Sequence, residues 1–169
     1  MKTLIIIPSR LSATRLPGKP LFKIDGLSLI THVFKKAENA NIGEVVVAAE
    51  DQEIVDDVRK NGGQAILTNR NHKTGTDRIF EALTRLNKPD IDLVMNLQGD
   101  EPLMNASDIK NLNNKMMERN SCFGTLASKI RDEDFYQNPN IVKVITKEDL
   151  TKNQFTEAKE FTRLTLNKI

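Results

Sequence analysis

The 169-residue sequence has one cysteine, no tryptophan, one tyrosine and only 5% aromatic residues. A single thiol, Cys122, excludes an intrachain disulfide and a thiolate-rich zinc site, and its expected role is that of a small buried hydrophobe. Neither sign of charge dominates. The 25 Lys+Arg and 23 Asp+Glu leave a formal net charge of +2, too small to imply a nucleic-acid or lipid partner, so only local clusters of charge are informative. Long apolar runs are missing as well: the strongest, Leu4 to Ile7, stops at Pro8, far short of the roughly 20 residues that span a bilayer. No membrane insertion is expected. The amino terminus lacks an apolar stretch followed by a small-residue cleavage site, which argues against export and for a cytoplasmic location. A GxGxxG fingerprint is absent, and Gly18-Lys19 is followed by Pro20 with no glycine at the upstream spacing of a Walker A loop. Nicotinamide dehydrogenases and P-loop ATPases are disfavoured on that ground.

What is present is the pattern of an α/β protein. With 38% hydrophobic and 28% charged residues, the chain has a globular composition, and at a prior of about 150 residues per domain its length predicts one domain. Leu4 to Ile7 reads as a strand buried on both faces. From Ser28, the residues Leu29, Ile30, Val33, Phe34, Ala37 and Ala40 recur at helical spacing, predicting a helix that ends near Asn41 to Gly43. Val45 to Ala49 is a second strand, followed by a helix carrying Ile54, Val55 and Val58 and stopped by Gly62-Gly63. Ala65 to Thr68 is a third strand, and the next helix presents Ile79, Phe80, Leu83 and Leu86 inward. Leu93 to Leu97 is a fourth strand. Ser107 is placed to cap a helix bearing Ile109, Leu112 and Met116, while Phe123 to Ile130 and Ile141 to Ile145 are further strand candidates. Phe155, Ala158, Phe161, Leu164 and Leu166 suggest a terminal helix. Alternating strands and helices predict a mainly parallel sheet.

Ligands of such a sheet bind beyond the carboxyl ends of the strands. After the first strand, Ser9 to Pro20 gathers Arg10, Arg15 and Lys19 with small hydroxyls and Gly18, a composition that can wrap a polyphosphate. The competing reading is a solvated basic loop. After the fourth strand, Gly99 lets the chain turn and puts Asp100 at the edge, where it can hold a cation; Mg²⁺ with substrate phosphates suits a lone carboxylate. Asp100 can equally make an Asx-turn or cap a helix. In a 3-2-1-4 strand order these two loops flank one crevice. Thr68 to Arg78 runs into a helix amino terminus suited to an anion or a base edge, with Thr74 or Thr76 as the cap. His72 and His32 read as structural histidines. Glu50-Asp51 either caps the following helix or edges the pocket.

These segments together resemble the 3-deoxy-manno-octulosonate cytidylyltransferases, or CMP-Kdo synthetases. Ile7-Pro8-Ser9-Arg10 and Arg15 to Leu21 resemble their opening signature, which sialic acid cytidylyltransferases share. His72 to Arg78 is similar to their nucleotide-pocket motif, with Thr74 where serine is usual. Asn96 to Pro102 is similar to a metal-binding strand end, and Asn138 to Val144 to a later motif. The resemblance implies a three-layer, Rossmann-like nucleotide-diphospho-sugar transferase fold, incomplete at its carboxyl-terminal end, with residues 1–169 as one CTP-binding nucleotidyltransferase domain. It implies transfer of CMP from CTP to Kdo with release of pyrophosphate, for lipopolysaccharide biosynthesis. Arg10, Arg15 and Lys19 would neutralise phosphates, Asp100 would hold Mg²⁺, and Thr74, Gly75 and Arg78 would line the nucleotide pocket. Gln98 would orient the sugar, and Arg163, within Ala158 to Arg163, would meet its carboxylate. A homodimer is implied for a complete family member. A non-catalytic nucleotide-binding remnant is the alternative.

Overall fold

A computed structural model describes residues 1–12, 16–132, 134–150 and 155–164. They form two compact units, Met1–Asn120 and Ser121–Ile169. The first opens with β1 (Thr3–Ser9), a 3-10 turn at Lys19–Leu21, and a short hairpin of β2 (Lys23–Ile24) and β3 (Leu27–Ser28). It continues with α1 (Leu29–Asn39), β4 (Gly43–Ala49), α2 (Gln52–Lys60), β5 (Gln64–Leu67), α3 (Gly75–Leu86), β6 (Leu93–Asn96) and α4 (Ala106–Arg119).

Leu4 to Ile7 have no polar side chain to offer solvent, and they form the middle of a four-stranded parallel sheet in the order β5-β4-β1-β6. This is the 3-2-1-4 order under which the loops after the first and fourth strands flank one crevice. Side chains alternate across the sheet. Ile5 and Ile7 join Val45 and Val47 under α1, α2 and α4, while Leu4 and Ile6 join Val46 and Ala48 under α3. Three layers result. Pro8 sits inside β1 rather than ending it, because β6 pairs only as far as Asn96 opposite Ile6; beyond that point the missing N–H interrupts no ladder with β6.

Polar side chains set where the helices begin. Ser28 caps α1 by accepting from the Thr31 N–H at 3.2 Å. The Ser28 and Thr31 hydroxyls in turn donate to Asp57 on α2, and Lys23 pairs with it. Burial pushes the Asp57 carboxyl up, but the hydrogen bonds from Ser28, Lys23 and Thr31 outweigh it and hold the group below its ordinary value. Two expectations fail here. Asn105, not Ser107, caps α4, its Oδ1 accepting from the Ser107 N–H at 3.1 Å. Phe80 is 71% exposed, because Ile79, Ala82, Leu83 and Leu86 already make the inward stripe of α3 and Phe80 lies about 100° around the helix from Ile79.

The second unit contains α5 (Asp134–Gln137) and an antiparallel ribbon of β7 (Lys143–Thr146) and β8 (Ala158–Thr162). Where the terminal helix is predicted, the described residues form β8 instead, Leu166 lying outside them: pairing with β7, Val144 opposite Phe161, overrides a weak helical spacing. Phe123 to Ile130 is not a strand, since no described strand pairs with it and its backbone carries no ladder. Cys122 is exposed rather than buried. Lys143 is fully buried, its Nζ donating to the carbonyls of Asn138 at 2.8 Å and Arg163 at 3.3 Å. Among the described residues no helix is long and apolar enough to cross a membrane.

Candidate functional site

The parallel sheet sends all its strand ends to one edge, and the loops that follow β1, β4, β5 and β6 gather there. The basic loop after β1 is closed by the Gly18 N–H, which donates to the Leu11 carbonyl at 3.0 Å. Gly18 has φ of 74°, a left-handed conformation that glycine adopts without strain, and it turns the chain into Lys19–Leu21. Lys19 is thereby brought to the loop after β6, where its Nζ lies 2.9 Å from Asp100 Oδ2. Gly99 makes that approach possible. A Cβ at Gly99 would come within 2.9 Å of the Pro8 carbonyl oxygen, so only glycine lets the backbone lie against β1 and present Asp100. The Lys19 and Asp100 side chains are 35% and 57% exposed, and an ion pair so open to water contributes little to stability. Both groups can part to meet an anion and a cation at small cost.

Beside this pair, a cleft of about 200 Å³ opens between the end of β1 and the loop before α3. Pro8, Ser9 and Arg10 form one wall, His72 to Gly75 and Arg78 the other, and Gln98 also lines it. Arg10 is exposed and makes no ion pair with another described residue. Gln98 Nε2 donates to Asn96 Oδ1 at 3.1 Å. Thr74 closes a capping box with Asp77: its hydroxyl accepts from the Asp77 N–H at 3.1 Å while the Asp77 carboxylate accepts from the Thr74 N–H at 3.1 Å. Gly75 is thus the first residue of α3 and stands at the positive end of the helix, which faces the cleft. Ser9 Oγ, in the wall, is buried without a hydrogen-bond partner, and such groups are rare in folded proteins.

Behind the wall lies a layer of paired charges. Arg78 is 3% exposed; its guanidinium is paired with Glu50 and donates to the Thr68 hydroxyl at 2.6 Å and the Asn69 carbonyl at 3.1 Å. His72 Nε2 is hydrogen-bonded to Glu81, which also accepts from the Asn69 N–H and pairs with Arg85. Burial pushes the Glu81 carboxyl up, but the hydrogen bonds from His72 and Asn69 and the charge of Arg85 outweigh it and hold the group below its ordinary value. Asp51 Oδ2 accepts from the Leu11 N–H at 2.8 Å, and Glu50 Oε1 from the Ser12 hydroxyl at 2.7 Å.

The structure therefore brings Arg10, Lys19, Thr74, Gly75, Arg78, Gln98 and Asp100 to one edge of the sheet. Arg15 lies outside the described residues. Arg163 belongs to the second unit, where its Nη1 donates to the carbonyls of Pro139 at 3.2 Å and Asn140 at 3.0 Å. Arg78 reaches the cleft wall with its guanidinium already committed. Sequence reasoning left Glu50 and Asp51 undecided and gave Glu81 no part; the available signal was an acidic pair at the carboxyl end of the second strand. Among the described residues no group of three or more His, Cys, Asp and Glu side chains could hold a metal. Asp100 is an exposed carboxylate that pairs with a cation of the basic loop, Lys19.

Residues 4–164 match the cytidylyltransferase family. A 3-deoxy-manno-octulosonate cytidylyltransferase of Rhodopseudomonas palustris is 47% identical over 146 residues, covering 85% of this chain and 59% of that protein. One from Thermodesulfovibrio yellowstonii is 44% identical over 151 residues, covering 86% of this chain and 59% of that protein. The chain thus spans about three-fifths of the length of these curated relatives. Among solved structures, a CMP:2-keto-3-deoxy-manno-octonic acid synthetase complexed with CTP superposes with a TM-score of 0.81 at 31% identity, over 98% of this chain and 66% of that one.

Proposed function

Because the chain belongs to the cytidylyltransferase family, we propose that it carries the CTP-binding half of a 3-deoxy-manno-octulosonate cytidylyltransferase, acting in the cytoplasm, where CTP is found, for lipopolysaccharide synthesis. The observation that carries this reading is the Lys19–Asp100 contact, which joins a phosphate-suited loop to a cation-suited carboxylate 81 residues away. The base of CTP would occupy the cleft between Pro8-Ser9-Arg10 and His72 to Gly75, where backbone donors of the α3 amino terminus face it. Its phosphates would lie toward Arg10, Arg15 and Lys19. The reaction is attack of the anomeric hydroxyl of Kdo on the α-phosphorus: an O–P bond forms, the hydroxyl proton passes to water, the bond to the β-phosphate bridging oxygen breaks, and pyrophosphate leaves. Cationic side chains that neutralise the departing pyrophosphate are the main requirement, and no covalent nucleophile is needed. No residue is assigned as a general base.

A single, half-exposed carboxylate beside a basic loop fits Mg²⁺, an ion that takes one or two carboxylates and completes its shell with phosphate oxygens and water. Asp100 would hold it, and when bound it supplies positive charge to the triphosphate. Gln98, two residues away, faces the cleft from the side where the sugar would approach, and Arg163 is the further candidate for the sugar carboxylate. A homodimer is expected for a complete member of the family. The test is pyrophosphate release from CTP and Mg²⁺ with and without Kdo, together with calorimetric titration of CTP and ATP. Kdo-dependent release is the expected result for a chain that completes its site. Preferential CTP binding without release assigns nucleotide binding alone, and no preference for CTP over ATP overturns the reading.

A further inference from the structure

Asp51 occupies the N-cap position of α2, yet its side chain makes no capping bond. An aspartate there ordinarily accepts from a backbone N–H two or three residues further on. Its Oδ2 instead accepts from the Leu11 N–H at 2.8 Å, and its Oδ1 lies 3.7 Å from Arg70 Nη2. Glu50 divides itself in the same way: Oε1 accepts from the Ser12 hydroxyl at 2.7 Å, and Oε2 takes the buried Arg78 guanidinium. Leu11 and Ser12 open the basic loop after β1. Arg70 and Arg78 bracket the opposite wall of the cleft. Each acid therefore joins the loop after β1 to the opposite wall, Asp51 through Arg70 of the loop before α3 and Glu50 through Arg78 of α3, which itself donates to the Asn69 carbonyl of that loop, and at 7% and 9% exposed neither is displayed to solvent as a substrate contact.

We propose that Glu50 and Asp51 are positioning residues that lock the phosphate-side loop and the base-side loop into one unit, so that the two halves of a nucleotide are gripped cooperatively. The inference rests on the nucleotide-site reading above and adds residues to that site which do not touch the ligand. A loop carrying several cations repels itself and the cationic side of the other wall. Two buried carboxylates between them offset that repulsion before any phosphate arrives, and this lowers the ordering that the ligand must impose. The forgone cap on α2 fits this arrangement: the side chain is better placed for the loop than for its own helix.

The test uses the full 169-residue chain. Asp51→Ala removes the acceptor for the Leu11 N–H, whereas Asp51→Asn keeps an oxygen there. Calorimetry with CTP·Mg²⁺ should show a loss of about tenfold for Asp51→Ala and recovery of most of it for Asp51→Asn. Ser12→Ala should weaken CMP as well as CTP, although Ser12 lies on the phosphate side and CMP lacks the β- and γ-phosphates. Amide hydrogen exchange should quicken at Leu11 and across residues 69–74 together in Asp51→Ala, while β1 and β4 stay protected. Glu50→Gln is the harsher variant because it leaves Arg78 buried without its partner, so the Asp51 pair keeps the test sound if that variant does not fold. Parent-like CTP affinity in Asp51→Ala, or faster exchange at Leu11 alone, would overturn the proposal. A parent chain that does not bind CTP removes the nucleotide reading, and the paired exchange response still decides whether the two loops are coupled.

Discussion

The two units bury their side chains in opposite ways. Every buried hydrophobic residue among those described lies between Leu4 and Met116, whereas Ser121–Ile169 buries only Lys143 and Thr162, both polar. The contrast follows from layers. The first unit covers both faces of a sheet with helices, so a strand such as β1 can be apolar throughout. The second has a two-stranded ribbon, and two strands offer too little apolar surface to be more than marginally stable alone. The loops assigned to the nucleotide are held by the first kind of structure, which suits a site that must be in place before its ligand arrives.

The comparison breaks most directly in the core. Ile6 is fully buried at the centre of β1, and Ile6→Ala should cost about 2 to 5 kcal/mol, read from the urea midpoint. A smaller cost would mean that the sheet relaxes around the cavity and that the first unit is looser than its burial implies. Lys19→Ala separates function from stability. It should weaken CTP·Mg²⁺ binding by about 1.5 to 3 kcal/mol, while the urea midpoint shifts by less than about 0.5 kcal/mol because the Lys19–Asp100 pair is half exposed. Equal loss in both measurements would make that pair a structural clasp. Gly99→Ala should lower both, costing about 1 to 3 kcal/mol of stability in the urea midpoint as the new methyl meets the Pro8 carbonyl and weakening CTP·Mg²⁺ binding as Asp100 is displaced with it.

Much of the first unit was readable from residue pattern. Leu4 to Ile7 and Val45 to Ala49 mark their strands because a strand buried on both faces has no polar positions to obscure it, whereas β6 at the sheet edge is only partly buried and shows as a short apolar run; the α/β alternation gives the parallel sheet but does not by itself fix the order of its strands. Phe80 was misread because helical spacing tolerates a neighbour about 100° off the stripe, and hydrophobicity alone does not say which residue the sheet has room for. Phe123 to Ile130 and Phe155 to Leu164 depart from their spacing for a different reason: whether a short apolar stretch is strand, helix or coil depends on a partner distant in sequence, as Phe161 depends on Val144. In the site, the loops were visible by composition. The linkage behind them was not, since nothing local in Glu50-Asp51 tells a helix cap from a carboxylate that reaches Leu11.

Acid should expose a weaker dependence in the wall of the cleft. The Glu81 carboxyl is held below its ordinary value of 4.5, so its contribution is fully present above that value and is lost as pH falls through the lower folded-state value. The parent should therefore lose stability more steeply than Glu81→Gln as pH is lowered below 4.5, measured by urea unfolding at each pH. Parallel curves would show that the His72, Asn69 and Arg85 contacts do not favour the ionised form over the neutral one.

The smallest effect belongs to the second unit. Phe161 is 57% exposed on β8, opposite Val144 across the ribbon. Phe161→Thr replaces one strand-favouring residue with another, β-branched one and removes a ring that is largely in water, so the change in stability should stay within about 0.5 kcal/mol. The measurement is thermal unfolding at two protein concentrations tenfold apart. In a monomer the variant and the parent melt together at both. If the ring packs against a second copy, the parent melts higher as concentration rises and the variant does not, because association stabilises only the folded partner by mass action. That result would move Phe161 from solvent to an interface and would narrow the difference between the two units to one of which chain supplies the covering layer.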